Sequence, residues 1–141
     1  MILDTNVLVY AVGGEHPLRS PARRLIAALR DGEALATTSI LVLQEFTYVY
    51  ARRRGAADAV ALTRSYVDLL EPLLPVEQVH LMTALRLVEQ HDLRPSDALL
   101  AAAAIHTSRS LVTADRALTD IAELQTVVLA NDTVERLLAG K

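Results

Sequence analysis

Short apolar runs along the chain alternate with longer stretches in which apolar residues recur at three- and four-residue intervals. The runs over 1–3, 34–37, 73–76, 110–113 and 126–129 are typical of buried strands. The helical spacing predicts helices from about residue 17 to Asp31-Gly32, from a cap at Ser39 to Gly55, and over 57–70, 79–91, 95–106, 115–121 and 133–138. This alternation predicts an α/β fold with a short and mainly parallel sheet.

Length and hydropathy limit the class of protein. A chain of 141 residues fits one domain over 1–141, and a composition of 52% hydrophobic and 22% charged residues is typical of a globular protein rather than a disordered one. The apolar run over 98–105 is far shorter than the roughly 20 residues that a membrane span requires. The start Met1-Ile2-Leu3-Asp4 has no basic region typical of a secretion signal, so we expect a cytoplasmic protein without a membrane partner.

The charge and the residue types of the chain exclude several kinds of functional site. The chain has no cysteine, which excludes disulfides, thiol nucleophiles and cysteine-bound zinc. Its net charge of −3 argues against a protein that coats nucleic acid non-specifically, because such proteins are usually basic. An enzyme that holds phosphates through metal ions remains compatible with this charge. Lys141 is the only lysine, so arginine supplies almost all of the positive charge.

Four acidic residues stand where a site would form. Asp4 and Asp115 follow the predicted strands over 1–3 and 110–113, and ligands of parallel sheets bind beyond the carboxyl ends of the strands. Asp97 lies in the first turn of a predicted helix, and Glu45 lies at the flank of an apolar helix face. Each also has a purely structural interpretation, as a helix cap, a partner of a helix dipole or a solvated surface group. The spacing alone leaves both interpretations open.

Convergence of these carboxylates would require a cation. At an effective dielectric constant of about 20, two unit charges 4 Å apart repel by roughly 4 kcal/mol, so such a cluster must take up protons or bind metal. Ligands that are all oxygen favour hard ions such as Mg²⁺ or Mn²⁺. Those ions support hydrolysis of phosphodiesters by activating water and stabilising the leaving oxygen.

The residues around these positions resemble those of PIN domains, and specifically of the VapC-type toxins of bacterial toxin–antitoxin pairs. The resemblance covers the whole chain and has four parts in order. They are Leu3-Asp4-Thr5-Asn6, Gln44-Glu45-Phe46, Pro95-Ser96-Asp97-Ala98-Leu99 before an alanine-rich helix, and Leu111-Val112-Thr113-Ala114-Asp115.

The resemblance implies a three-layer α/β/α sandwich with a short central parallel sheet. It implies an endoribonuclease dependent on Mg²⁺ or Mn²⁺, the toxin of a pair that blocks translation. Asp4 and Asp97 would be the principal metal ligands, Asp115 would complete the metal site directly or through water, and Glu45 would be a ligand or would orient the attacking water. Asn6 and Thr113 would support these carboxylates. The implied partners are the RNA substrate, a second copy in a homodimer and a VapB-like antitoxin.

Other polar and aromatic residues carry weaker signals. Arg19, Arg23 and Arg24 follow the first acidic segment and could contact RNA along the substrate approach. The run 52–54 is interpreted as a solvated helix end in preference to an RNA contact. Tyr48 must point away from the core face of its helix and could mark a partner surface. The four histidines show no paired ligand spacing and are interpreted as structural or surface residues.

Two alternatives remain open at this point. A phosphoacceptor or phosphatase domain also uses an aspartate after its first strand, but it needs a lysine near the phosphate, and the only lysine is terminal. A PIN-like scaffold without catalytic activity is the second alternative. The intact set of acidic residues argues against it.

Overall fold

A computed structural model describes residues 1–140 of the protein. The described chain contains three strands, seven α-helices and one 3₁₀ helix. In chain order these are β1 (Ile2–Leu3), α1 (Thr5–Val12), α2 (Arg19–Arg30), α3 (Ile40–Arg54), α4 (Ala56–Leu70), α5 (Gln78–His91), α6 (Pro95–His106), β2 (Leu111–Thr113), the 3₁₀ helix (Arg116–Asp120), β3 (Thr126–Val128) and α7 (Asn131–Ala139).

The sheet is short, parallel and central, as expected. Its strand order is β1-β2-β3, with Leu3 opposite Val112 and Thr113 opposite Val128. Every residue of β1 and β2 is fully buried, which explains why all of them except Thr113 are apolar. The carboxyl ends of β1 and β2 therefore lie side by side beneath a helical cover.

The prediction of strands over 34–37 and 73–76 is wrong, because neither segment forms a strand. Each contributes one isolated parallel bridge, from Thr37 to Ile2 and from Leu74 to Ser39. The Thr38 hydroxyl donates to the Leu3 carbonyl at 2.7 Å and takes the place of a further ladder bond. Since α3 begins directly after Ser39, the chain leaves the sheet before a second pair can form.

Helix α1 is absent from the elements predicted by the sequence. It begins at Thr5, where the Asp4 side chain caps it by accepting the Thr5 N–H at 2.7 Å. Val7, Leu8 and Ala11 are buried in the core, and most of the remaining residues of the helix are apolar as well. A helix without a polar face leaves no 3.6-residue pattern in the sequence, so periodicity could not identify it.

Helix α3 agrees with its prediction at both ends. The Ser39 hydroxyl caps it by accepting the Leu41 N–H at 3.1 Å, and Gly55, with φ at +89°, ends it. Phe46 is fully buried and its ring meets that of Tyr66 edge-on, with ring centroids 5.1 Å apart. This packing joins α3 to α4 and fixes the rotation of α3 about its own axis.

Helix α6 is built almost entirely from small residues on its buried side. Ala98, Ala101, Ala102 and Ala104 are fully buried, and Pro95 occupies the start of the helix. Small side chains allow neighbouring elements to approach α6 closely. No helix within residues 1–140 is long and apolar enough to cross a bilayer.

Replacement of the α3 cap should lower stability. We expect Ser39→Ala to cost about 1 kcal/mol in the free energy of unfolding, because it leaves the Leu41 N–H without its acceptor. Urea denaturation followed by circular dichroism measures the change. Ser20→Ala is the matched control, since Ser20 is exposed in the first turn of α2 and should change stability by less than about 0.5 kcal/mol. Equal losses in the two variants would contradict a capping role for Ser39.

Candidate active site

The carboxylate of Asp4 lies at the carboxyl end of β1 and is almost completely buried, with 6% of the residue exposed. Its Oδ1 accepts the Thr5 N–H at 2.7 Å. Its Oδ2 accepts the Thr113 hydroxyl at 2.6 Å and the Asn6 side-chain amide at 3.2 Å. Three donors therefore hold a charge that the core would otherwise exclude.

Thr113 and Asn6 link the ends of the two neighbouring strands. The Thr113 hydroxyl oxygen accepts the Asp115 N–H at 3.0 Å while it donates to Asp4. Asn6 accepts the Ala114 N–H at 3.0 Å through its Oδ1. Thr113 and Asn6, expected to support the carboxylates, therefore form hydrogen bonds between the residues that follow β1 and the end of β2.

Burial raises the pKa of Asp4 from 3.8 to about 6, and the negative charges of Asp97 and Glu45 add to this rise. The hydrogen bonds from Thr113 and Thr5 act in the opposite direction, because they favour the charged form. The pocket therefore holds one carboxylate whose charged form costs free energy near neutral pH. A cation placed beside it would remove that cost.

Glu45 reaches the site through a residue to which the sequence motifs assigned no role. The Thr5 hydroxyl donates to Glu45 Oε2 at 2.8 Å and joins the start of α1 to the middle of α3. The glutamate is half-buried, as expected for a residue at the flank of an apolar face. Thr5 follows Asp4 directly, but nothing in its sequence position indicates a partner forty residues away.

Asp97 enters from the first turn of α6 and is held by an arginine. Arg94 donates through Nε to Asp97 Oδ2 at 3.0 Å and through a terminal nitrogen to Oδ1 at 3.3 Å. The hydrogen bond and charge of Asp97 raise the pKa of Arg94 above its ordinary value, and Glu45 and Asp4 contribute in the same direction. The position of Arg94, three residues before Asp97, was a signal in the sequence from which this ion pair could have been predicted.

Asp115 caps the 3₁₀ helix by accepting the Ala117 N–H at 3.0 Å and also faces the site. Asp4 and Asp115 both cap helices and also line the pocket, so the capping interpretation does not exclude a role in a site. All four carboxylates line one pocket of about 460 Å³, with Arg53 and Arg94 at its edge. Arg53 belongs to the run that is interpreted from the sequence as a solvated helix end.

The arginines expected along the substrate approach lie beside this pocket or away from it. Arg19 and Arg23 line an adjacent depression of about 410 Å³. Arg23 Nε donates to the Ala11 carbonyl at 3.0 Å, which anchors its guanidinium at the end of α1. Arg24 forms an ion pair with Glu135 at 2.8 Å instead.

The donor set fits a hard divalent cation by its chemistry. Four carboxylates share one pocket, and the most buried of them has a raised pKa because of its acidic neighbours as well as its burial. As the side chains stand, no three acidic or histidine residues within 1–140 are close enough to hold an ion together. Both oxygens of Asp97 are instead bound by Arg94.

Comparison with known proteins assigns a family to this arrangement. The PIN domain family matches residues 1–124. Ribonuclease VapC7 of Mycobacterium tuberculosis is 42% identical over 131 residues, which cover 91% of this chain and 90% of that protein. Ribonuclease VapC23 of the same species is 37% identical over 93 residues, covering 64% of this chain and 71% of that protein.

Solved structures share the fold at low sequence identity. One is VapBC2 from Rickettsia felis bound to a DNA fragment from its promoter, with a TM-score of 0.70 at 20% identity, covering 90% of this chain and 96% of that one. Another is FitAcB from Neisseria gonorrhoeae, with a TM-score of 0.69 at 18% identity, covering 89% and 94%. Identities this low support the architecture alone.

The raised pKa of Asp4 predicts a specific dependence of stability on pH. The folded state binds the Asp4 proton more tightly than the unfolded chain, so the stabilisation is complete below about pH 3.8 and is lost as pH rises through about 6. Without metal, we expect the protein to be about 1 kcal/mol more stable at pH 5 than at pH 7 from this group. Urea denaturation in EDTA at the two pH values measures the difference. Asp4→Asn should lose this part of the pH dependence; an unchanged dependence would contradict the assignment.

The hydroxyl of Thr113 should control the same carboxyl group. We expect Thr113→Val to raise the pKa of Asp4 further, because the variant removes a hydrogen bond to the charged form while it keeps the side-chain shape. Carboxyl ¹³C NMR titration in EDTA measures the pKa directly. Thr113→Ser retains the hydroxyl and should leave it near about 6. Identical titration curves for the Val and Ser variants would exclude this role of the hydroxyl.

Proposed function

This chain belongs to the PIN-domain family, and from that premise we propose that it is a metal-dependent endoribonuclease, the toxin of a toxin–antitoxin pair. The observation that carries the proposal is the meeting of Asp4, Glu45, Asp97 and Asp115 in one pocket at the carboxyl ends of β1 and β2. Relatives named VapC ribonucleases match most of the chain, which supports RNA as the substrate.

We assign the ion as Mg²⁺ or Mn²⁺, held by Asp4 and Asp97, with Asp115 binding directly or through water. When bound, such an ion polarises the scissile phosphate and lowers the pKa of water. The support is chemical: the pocket offers carboxylate oxygens, and Asp4 is held in place by donors from Thr5, Asn6 and Thr113. In this role Asp97 would exchange at least part of its bonding to Arg94 for the ion.

Glu45 is proposed to orient the attacking water. Its Oε2 already accepts the Thr5 hydroxyl, so Oε1 is the oxygen that remains to accept a proton from water. The Thr5 bond limits rotation of the carboxylate, and both residues line the pocket. Proton acceptance at a positioned carboxylate is a standard contribution to hydrolysis.

Arg94 and Arg53 supply positive charge at the edge of an otherwise acidic pocket. Arg94 neutralises Asp97 in the absence of a metal ion. If Asp97 held a metal ion, the guanidinium of Arg94 would be free to pair with a phosphate oxygen of RNA. Arg94 would thus neutralise a carboxylate before substrate binds and a phosphate afterwards.

The partners proposed for this toxin are a VapB-like antitoxin and a second copy of the chain. A fold neighbour from Klebsiella pneumoniae, with a TM-score of 0.68 at 18% identity, is described as a toxin–antitoxin complex, which supports the first. Helix α5 exposes apolar side chains that a partner could cover, namely Val79, Leu81, Met82 and Leu85. A single domain over 1–141 and a cytoplasmic location stay predictions of the sequence.

Substitution of Asp97 tests the nuclease assignment. We expect Asp97→Asn to lower RNA cleavage about 100-fold or more and to abolish the rise in melting temperature caused by Mn²⁺, because it removes a metal ligand. EDTA should stop cleavage by the unaltered protein and Mn²⁺ should restore it. Sequencing of cleaved RNA ends and differential scanning fluorimetry measure the two effects.

Controls separate the nuclease from a PIN-like scaffold without activity. Asp4→Ala should be inactive. Asp92→Asn makes the same chemical change at an exposed residue that ends α5 with φ at +52° and should cleave normally. Cleavage that persists in EDTA, or a normal rate in Asp97→Asn, would refute the metal site. No cleavage and no thermal shift with Mn²⁺ would favour the inactive scaffold.

A further inference from the structure

Two aromatic rings stack beside the acidic pocket. Tyr10, near the end of α1, and His16, in the loop before α2, lie with ring centroids 4.4 Å apart and planes inclined by 25°. From the sequence, His16 is interpreted as a structural or surface residue. In the fold it is exposed, yet its ring is held, because His16 Nδ1 accepts the Leu18 N–H at 3.1 Å.

The stacked pair joins two cavities. Tyr10 and His16 line the pocket that contains the four carboxylates. His16, together with Glu15, also lines the adjacent depression that contains Arg19 and Arg23. A continuous surface therefore runs from the carboxylates across an aromatic pair to two cationic side chains.

We propose that the Tyr10–His16 pair is a stacking platform for one nucleobase next to the scissile phosphate, with Arg19 and Arg23 receiving the following phosphate. The inference rests on the proposed ribonuclease function and adds the path of the RNA strand. Single-stranded RNA is commonly bound by this combination of stacked aromatic side chains and cations along the backbone.

The hydrogen bond at His16 explains why the ring suits this role. Because Nδ1 accepts a backbone N–H, the neutral ring carries its proton on Nε2, and the ring plane is restrained before RNA arrives. A preorganised platform loses little conformational freedom on binding.

Arg19 and Arg23 form the cationic end of this surface. Arg23 donates through Nε to the Ala11 carbonyl, and its side chain lines the depression. Arg19 Nε is a buried atom without a hydrogen-bond partner within residues 1–140. Neither arginine forms an ion pair within that range, so their charge is available to a phosphate.

Two substitutions at His16 separate stacking from a purely structural role of the loop. His16→Asn keeps an acceptor for the Leu18 N–H but removes the ring, whereas His16→Phe keeps a ring but removes the acceptor. Stacking predicts a KM for short single-stranded RNA roughly tenfold higher in the Asn variant and near normal in the Phe variant, with kcat little changed in both. A structural role predicts the reverse order.

An abasic nucleotide tests whether the ring contacts a base. The unaltered protein should show a roughly tenfold higher KM when one nucleotide beside the cleaved bond lacks its base. His16→Asn should show no further loss with that RNA, because the contact is already absent. Additive losses in the variant and the abasic substrate would overturn the platform.

Salt dependence tests the cationic end. The double variant Arg19→Gln/Arg23→Gln should reduce the slope of log KM against log salt by about 0.7, the value expected for loss of one phosphate contact on a single strand. Arg30→Gln at the other end of α2 is the matched control and should keep the slope. RNA cleavage with normal KM in His16→Asn and an unchanged slope in the double variant would overturn this inference alone, whereas absence of any cleavage by the unaltered protein would overturn the proposed function as well.

Discussion

The hydrogen bond from Thr113 to Asp4 is the interaction on which the site depends. It joins the carboxyl ends of two adjacent parallel strands, one near the start of the chain and one 109 residues later. It also keeps a buried carboxylate in place although burial and acidic neighbours raise its pKa. Without this bond and those from Thr5 and Asn6, the core would favour the protonated acid or expel the side chain toward water.

The other carboxylates are organised around that buried group by separate elements. Thr5, at the start of α1, holds Glu45 of α3, and Arg94 holds Asp97 at the start of α6. Asp115 is fixed by its cap of the 3₁₀ helix and by the bond from its N–H to Thr113. Like charges are thus kept apart by neutral donors and one arginine. The proposed metal ion would neutralise the carboxylates more strongly than these donors and the arginine do.

The pocket is also asymmetric, which gives the proposed substrate a direction. Carboxylates occupy the end above β1 and β2, the Tyr10–His16 pair lies along one side, and Arg19 and Arg23 follow in the next depression. An acidic protein with a net charge of −3 can bind a polyanion through such a local arrangement even though its overall field is repulsive. Repulsion between RNA and the acidic remainder of the surface would disfavour non-specific contacts. RNA would therefore prefer the path from the carboxylates past Tyr10 and His16 to Arg19 and Arg23.

The sequence by itself determined the α/β class, the ends of α3 and the positions of Asp4, Asp97 and Asp115 at strand or helix ends, because each of these follows from local spacing and capping. Helix α1 could not be predicted because it lacks a polar face. The segments that contain the bridges at Thr37 and Leu74 were predicted to be strands because they are mostly apolar, like the true strands. Only the tertiary structure decided that Thr5 meets Glu45, that Tyr10 stacks on His16 and that four carboxylates share one pocket. These contacts join residues from different elements, and their distances depend on how the helices pack on the sheet. A local sequence pattern contains no information about that packing.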